Sequence, residues 1–142
     1  MTSSLSELQS WINRVAKETQ PQEIYWCNGS DEEYDGLIKN MQDSNDLLKL
    51  NQENYPNCYL HRSNPSDVAR VEHLTFICTK NKDDAGPNNN WMSPKEAHKK
   101  IDKLFNGAMQ GRTMYIIPYC MGPIDSPFSR CGIEITDSPY VV

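Results

Sequence analysis

No stretch of this 142-residue chain is apolar for long enough to span a bilayer. Its first residues, Met1-Thr-Ser-Ser-Leu-Ser-Glu7, have no basic segment leading into an apolar one, so no secretory signal is expected. A basic excess is missing too. Fourteen Lys and Arg face nineteen Asp and Glu, and the net charge of -5 argues against a nucleic-acid or anionic-membrane surface. The five cysteines, Cys27, Cys58, Cys78, Cys120 and Cys131, are odd in number and none stands in a C-x-x-C pair. His61, His73 and His98 are scattered among unrelated segments. A disulfide framework or zinc site needs tighter grouping, so reduced cysteines in the strands of a cytoplasmic protein are expected.

Familiar catalytic patterns are absent as well. Gly107-Ala-Met-Gln-Gly-Arg-Thr113 has glycines and a threonine but lacks the G-x-x-x-x-G-K-[ST] spacing and its lysine. It leads into a strand, whereas a phosphate loop leads into a helix, so it reads as a turn with Gly107 and Gly111 at positive φ. Ser126 and Ser129 have no neighbouring histidine, which leaves a serine triad without support. The carboxylates of Asp31-Glu32-Glu33 and Asp83-Asp84 follow no metal-ligand pattern and read as solvated charge.

What is present is a regular alternation of helix and strand signals. Ser4-Leu-Ser-Glu7, Ser30-Asp-Glu-Glu33 and Ser93-Pro-Lys-Glu96 each match the capping box. Apolar stripes follow each: Leu5, Leu8, Ile12 and Val15, then Tyr34, Leu37, Ile38 and Met41, then Ala97, Ile101, Leu104 and Phe105. Pro21 stops the first helix and Asn106-Gly107 the third. Strand signals cover Glu23–Cys27, Cys58–Arg62 and Leu74–Thr79, with Leu47–Leu50 weaker. Thr113–Ile117, apolar on both faces, has the pattern of a central strand whose ladder Pro118 limits, and Gly132–Thr136 alternates as a half-buried strand should. Asn81–Asn90 is expected to be a mobile polar loop. The fold class is therefore α/β or α+β, a mixed sheet flanked by about three helices, in one domain covering 1–142. An apolar fraction of 37% leads us to expect faces covered by further chain. Apolar Tyr140-Val-Val142 reads as a cut through a strand or its turn.

Two segments could carry chemistry. In Asp67-Val-Ala-Arg-Val-Glu-His73, the Arg70 guanidinium suits a carboxylate or phosphate through a bidentate pair. A surface ion pair is the ordinary alternative, and residue type alone does not separate Arg70 from Arg112 or Arg130. Met121-Gly-Pro-Ile-Asp-Ser-Pro-Phe-Ser-Arg130 is either an anion-binding nest of backbone N–H groups or a shaped connection between strands. Trp26 and Trp91, beside polar loops, are read as core anchors.

Asp67–Glu72, Asn90-Trp-Met-Ser-Pro94 and the run from Met109-Gln-Gly-Arg-Thr-Met-Tyr through Met121-Gly-Pro to Asp137-Ser-Pro-Tyr-Val-Val142 together resemble the N-terminal region of the GTP-dependent phosphoenolpyruvate carboxykinases. The resemblance implies the N-terminal lobe of an enzyme that converts oxaloacetate and GTP into phosphoenolpyruvate, GDP and CO2 with manganese and magnesium. It implies substrate binding by Arg70 and support of a mobile lid by Glu72. It also implies that the phosphate loop with its reactive cysteine, the metal ligands and the guanine pocket lie beyond Val142. No catalytic residue and no metal ligand are then expected in these 142 residues, and the chain alone, taken as a monomer, should be inactive. His73 departs from the small polar residue common in relatives, and the Asn81–Asn90 loop is short for the family. The alternative expectation is a freestanding, non-catalytic binding module derived from the same family.

Overall fold

The computed structural model describes residues 2–65 and 71–142. In chain order its elements are helix α1 (Thr2–Thr19), strand β1 (Glu23–Trp26), helix α2 (Asp31–Asp43) and strands β2 (Leu47–Lys49) and β3 (Tyr59–His61). There follow 3-10 turns at Glu72–Leu74 and Lys82–Ala85, helix α3 (Pro94–Phe105) and strands β4 (Thr113–Met121) and β5 (Arg130–Thr136). The chain divides into two compact units, Met1–Gln20 with Asn64–Ala108 and Pro21–Ser63 with Met109–Val142. Three helices, a mixed three-stranded sheet and a two-stranded ladder bear out the α/β class.

In the unit containing Pro21–Ser63, β4 is central in the order β1-β4-β5. It pairs in parallel with β1 from Glu23↔Thr113 to Trp26↔Ile116, and antiparallel with β5 from Tyr115↔Thr136 to Met121↔Arg130. Its two-sided apolar sequence follows from that position: Met114 and Ile116 are fully buried, while Tyr115 and Ile117 are half-buried. The Cys27 N–H donates to the Ile116 carbonyl at 2.9 Å. Backbone groups alternate sides along a strand, so Met114, Ile116 and Pro118 turn theirs toward β1, and Ile117, Tyr119 and Met121 toward β5. Pro118 therefore limits the ladder on one side only. The β1 register ends at Ile116, whereas the β5 register runs on to Met121, because the missing N–H is not on the β5 side.

The cap of α2 is built around Ser30, whose side chain accepts the Glu33 N–H at 3.2 Å. Glu33 reaches past the cap. Its carboxylate accepts the N–H groups of Asn28 (3.0 Å) and Gly29 (2.8 Å), while the Asn28 side-chain oxygen accepts the Ser30 N–H at 2.8 Å. Helix α2 delivers the buried Met41, and β2, antiparallel to β3, delivers the buried Leu47.

In the other unit, Ser93 caps α3 by accepting the Glu96 N–H at 3.3 Å, and its hydroxyl donates to the Glu96 carboxylate at 2.7 Å. Asn106 ends the helix. Gly107 takes φ 72 and donates its N–H to the Glu18 carbonyl at 2.8 Å, joining the ends of α3 and α1. Ile12 and Ala97 are buried, but Leu104 at the end of the α3 stripe is 77% exposed.

Two expectations are corrected here. The Ser4-Leu-Ser-Glu7 box does not start α1, which already runs from Thr2. A capping pattern marks a start only where the preceding residues leave the helical region, and Thr2 and Ser3 do not. Leu74–Thr79 forms no strand either; it has a single parallel bridge, Ile77↔Trp91. Its propensity is overridden because the 3-10 turn bends the chain at Glu72–Leu74. The Asn90 side-chain amide then takes the Glu72 and Thr75 carbonyls (3.0 and 3.3 Å) that a ladder would use. Asn81–Asn90 is a polar loop, as its sequence suggests, with one ordered turn. It contains the 3-10 turn Lys82–Ala85 with Ala85 buried, and the Asn89 amide donates to the Ala85 carbonyl at 2.7 Å.

Opposite Tyr119, a Cβ built on Gly132 would lie 2.5 Å from the Tyr119 Cζ and hydroxyl oxygen. Gly132→Ala should therefore push the Tyr119 ring off the strand pair and cost about 1 kcal/mol in urea unfolding. In a Tyr119→Ala background the same change should cost measurably less, as a double-mutant cycle would read.

Candidate functional site

Glu33 gathers more than the two amides of the β1–α2 turn. The Tyr25 hydroxyl, at the end of the preceding strand, also donates to it. Partial burial works to raise the Glu33 pKa, but the donors from Asn28, Gly29 and Tyr25 together outweigh it and hold the carboxyl below its usual range. Tyr25 is raised in turn, first by burial and then by its bond to Glu33 and that residue's charge. A carboxylate supplied with three donors is a fixed anion that organises a turn. It is poorly suited to exchange protons with a substrate.

Beyond this turn lies a cavity of about 740 Å³, with walls from α2, from β2 and β3, and from the Pro139–Val142 segment. Leu37, Ile38 and Met41 supply an apolar side; Ser30, Asp31 and His61 supply the polar rim. The His61 ring stacks on Tyr140 with centroids 4.3 Å apart and planes at 25°. Its Nδ1 lies 2.8 Å from the Asp46 carbonyl. A carbonyl oxygen only accepts, so Nδ1 carries the proton, and in the neutral ring Nε2 is left as an acceptor. The arrangement suits a partly apolar ligand or chain segment. Sequence reasoning missed it because the α2 stripe reads equally well as core. His61 alternating with Leu60 next to the Leu47 run was the available signal.

The sequence-derived candidates are placed as follows. Arg70 and the rest of Ser66–Arg70 lie outside the described residues. Glu72 opens the 3-10 turn, with its carbonyl accepting from Thr75 N–H and the Asn90 amide. Arg112 pairs with Asp137 at 2.9 Å, and the Arg130 guanidinium donates to the Ser129 carbonyl at 3.0 Å. Met121–Arg130 has the hydrogen bonds of a shaped connection. Three of its N–H groups turn inward, Ser126 to the Pro123 carbonyl, Ser129 to the Ser126 carbonyl and Phe128 to the Ser126 hydroxyl. The Trp91 indole donates to the Thr79 carbonyl at 3.1 Å from a half-buried position, as an anchor should. Trp26 is 43% exposed and anchors less. Among the described residues no three His, Cys, Asp or Glu side chains cluster. No described helix is long and apolar enough to cross a membrane.

The geometry defines an α/β fold in which α2, the β2–β3 ladder and the Pro139–Val142 segment enclose a cavity along one side of α2. The family described as phosphoenolpyruvate carboxykinase N-terminal domain matches residues 10–142. Among similar proteins, the phosphoenolpyruvate carboxykinase (GTP) of Chlamydia pneumoniae is 56% identical over 135 residues, which is 95% of this chain and 22% of that protein. That of Chlamydia muridarum is 56% identical over 137 residues, 96% of this chain and 23% of its own length. The one from Anaeromyxobacter dehalogenans is 54% identical over 134 residues, 94% and 22%. The chain belongs to the phosphoenolpyruvate carboxykinase N-terminal domain family, and it spans about 22% of the length of its first relatives.

Because the folded-state pKa of Glu33 is lowered, its contribution to stability is present above the unfolded carboxylate range and is lost as pH falls through the folded value. Glu33→Gln should therefore lower the unfolding midpoint at neutral pH. The gap to the unsubstituted chain should narrow in acid, as a pH series of urea titrations would record.

Proposed function

We propose that this chain is the N-terminal domain of a GTP-dependent phosphoenolpyruvate carboxykinase, a carboxy-lyase that interconverts oxaloacetate and phosphoenolpyruvate and serves gluconeogenesis. The observation that carries the reading is the 56% identity sustained along 95% of the chain. On this reading the domain contributes substrate binding. Arg70 offers its planar guanidinium to the carboxylate of oxaloacetate or to the carboxylate and phosphate of phosphoenolpyruvate. Glu72, two residues on and at the start of a 3-10 turn, supports the closed position of a lid. GTP and the divalent cations, manganese with magnesium, are met by parts of the enzyme outside these residues. The five free cysteines suit a reducing, cytoplasmic compartment, and the acidic surface suits a monomer that binds neither nucleic acid nor membrane.

The isolated 142 residues should show no GTP- and Mn2+-dependent turnover. They should bind phosphoenolpyruvate no more tightly than millimolar, about -4 kcal/mol. Turnover above background in the purified chain would refute the assignment of catalysis to other parts of the enzyme. In an enzyme that includes the remaining domains, Arg70→Ala should raise KM for oxaloacetate and phosphoenolpyruvate by about tenfold or more, the loss of one charge-assisted contact. An unchanged KM removes Arg70 from the site.

A further inference from the structure

Strands β4 and β5 bring two of the five cysteines face to face. Cys120 and Cys131 are direct register partners near the open end of the antiparallel ladder. Ile116 turns its backbone groups toward β1, so Cys120, four residues on, does the same, and its pairing with Cys131 is one without mutual backbone hydrogen bonds. In such pairs the Cα atoms lie about 4.5 Å apart and the side chains approach most closely. Disulfides span Cα separations of about 4.4–6.8 Å. The Cys131 thiol is within hydrogen-bonding reach of Cys120. Its pKa is raised by that bond, then by the charge of Cys120, then by burial, in keeping with the register that sets the two residues side by side. The Cys120 Sγ also donates to the Gly122 carbonyl at 3.7 Å. Both residues are exposed, so a reagent can reach them from solvent. Cys27, Cys58 and Cys78 are in register with no other cysteine.

We propose that Cys120 and Cys131 form a redox-active dithiol, closed to a disulfide by exchange with a small-molecule disulfide of the glutathione type and reopened by a reducing thiol. One cysteine thiolate attacks a sulfur of the small disulfide, forming a protein mixed disulfide and releasing one small thiolate. The opposite cysteine, as thiolate, attacks the protein sulfur of that mixed disulfide, forming the Cys120–Cys131 bond and releasing the second. Two electrons pass from the cysteine pair to the small disulfide, and the two cysteine protons end on the two small thiols. The product is a clasp across the base of the 122–129 loop, whose Ile124 and Phe128 side chains are 86% and 84% exposed.

The test is to equilibrate the reduced protein with oxidised and reduced glutathione at graded ratios, quench with an alkylating agent, and map the peptides. A linked Cys120–Cys131 peptide should appear at a lower oxidised fraction than any other pairing, with Cys27, Cys58 and Cys78 alkylated. In Cys131→Ser, the Cys120 intermediate should stop as a glutathione adduct, and in Cys120→Ser the adduct should form on Cys131. In urea the preference for this pair should fall by an order of magnitude or more, since adjacency comes from the ladder. The proposal is overturned if Cys120 and Cys131 are both alkylated, or carry separate glutathiones, at ratios that oxidise other cysteines. It is equally overturned if the pairing preference is the same with and without urea.

Discussion

The double ladder of β4 is the constraint on which the unit formed by Pro21–Ser63 and Met109–Val142 depends. A strand paired on both sides has its backbone satisfied within the sheet, so its side chains are free to be apolar on both faces, and Met114 and Ile116 bury completely. The parallel pairing to β1 requires a long crossover between Trp26 and Thr113, because parallel neighbours cannot be joined by a tight turn. The antiparallel pairing to β5 needs only the Gly122–Ser129 loop, which closes on its own hydrogen bonds. One strand therefore fixes where α2 departs and where the chain returns toward Tyr140.

Glu33 performs the corresponding task for the helix. Its carboxylate is spent on the Asn28 and Gly29 amides and the Tyr25 hydroxyl, so the exit from β1 and the first turn of α2 are one hydrogen-bonded unit. Leu37, Ile38 and Met41 of the helix then line one cavity together with Leu47, Tyr59 and Tyr140. His61 closes the far wall with its ring on Tyr140 and its Nδ1 proton on the Asp46 carbonyl.

Elements with a local cause were legible in the sequence. Ser30 and Ser93 announced α2 and α3 because the caps act within four residues, and Gly107 and Gly111 announced positive φ because no other residue adopts it so readily. Thr113–Ile117 was legible as a central strand because burial on both faces leaves a continuous apolar run. Apart from the Ser4 box, which failed because Thr2 and Ser3 are already helical, what failed depended on groups distant in sequence. The Asn90 amide captures carbonyls fifteen and eighteen residues away, and nothing in Leu74–Thr79 itself reports this. The cavity was hidden for the same reason, since an apolar stripe looks alike whether it meets core or void. The chemistry assigned to Arg70 and Glu72 came from resemblance and not from spacing, because an arginine two residues before a glutamate is an ordinary surface pattern.

Pro118 has a further consequence. Past Trp26, β4 has no strand beside it on the β1 side among the described residues, and a bare strand edge is a template for pairing with another chain. The first position along that edge whose backbone faces outward is Pro118, which has no N–H to offer. A second strand approaching there meets an acceptor without its matching donor, and a regular ladder cannot be extended through it. The residue that lets β4 outlast β1 thus also guards the exposed stretch against edge-to-edge aggregation, at no cost to the pairing with β5.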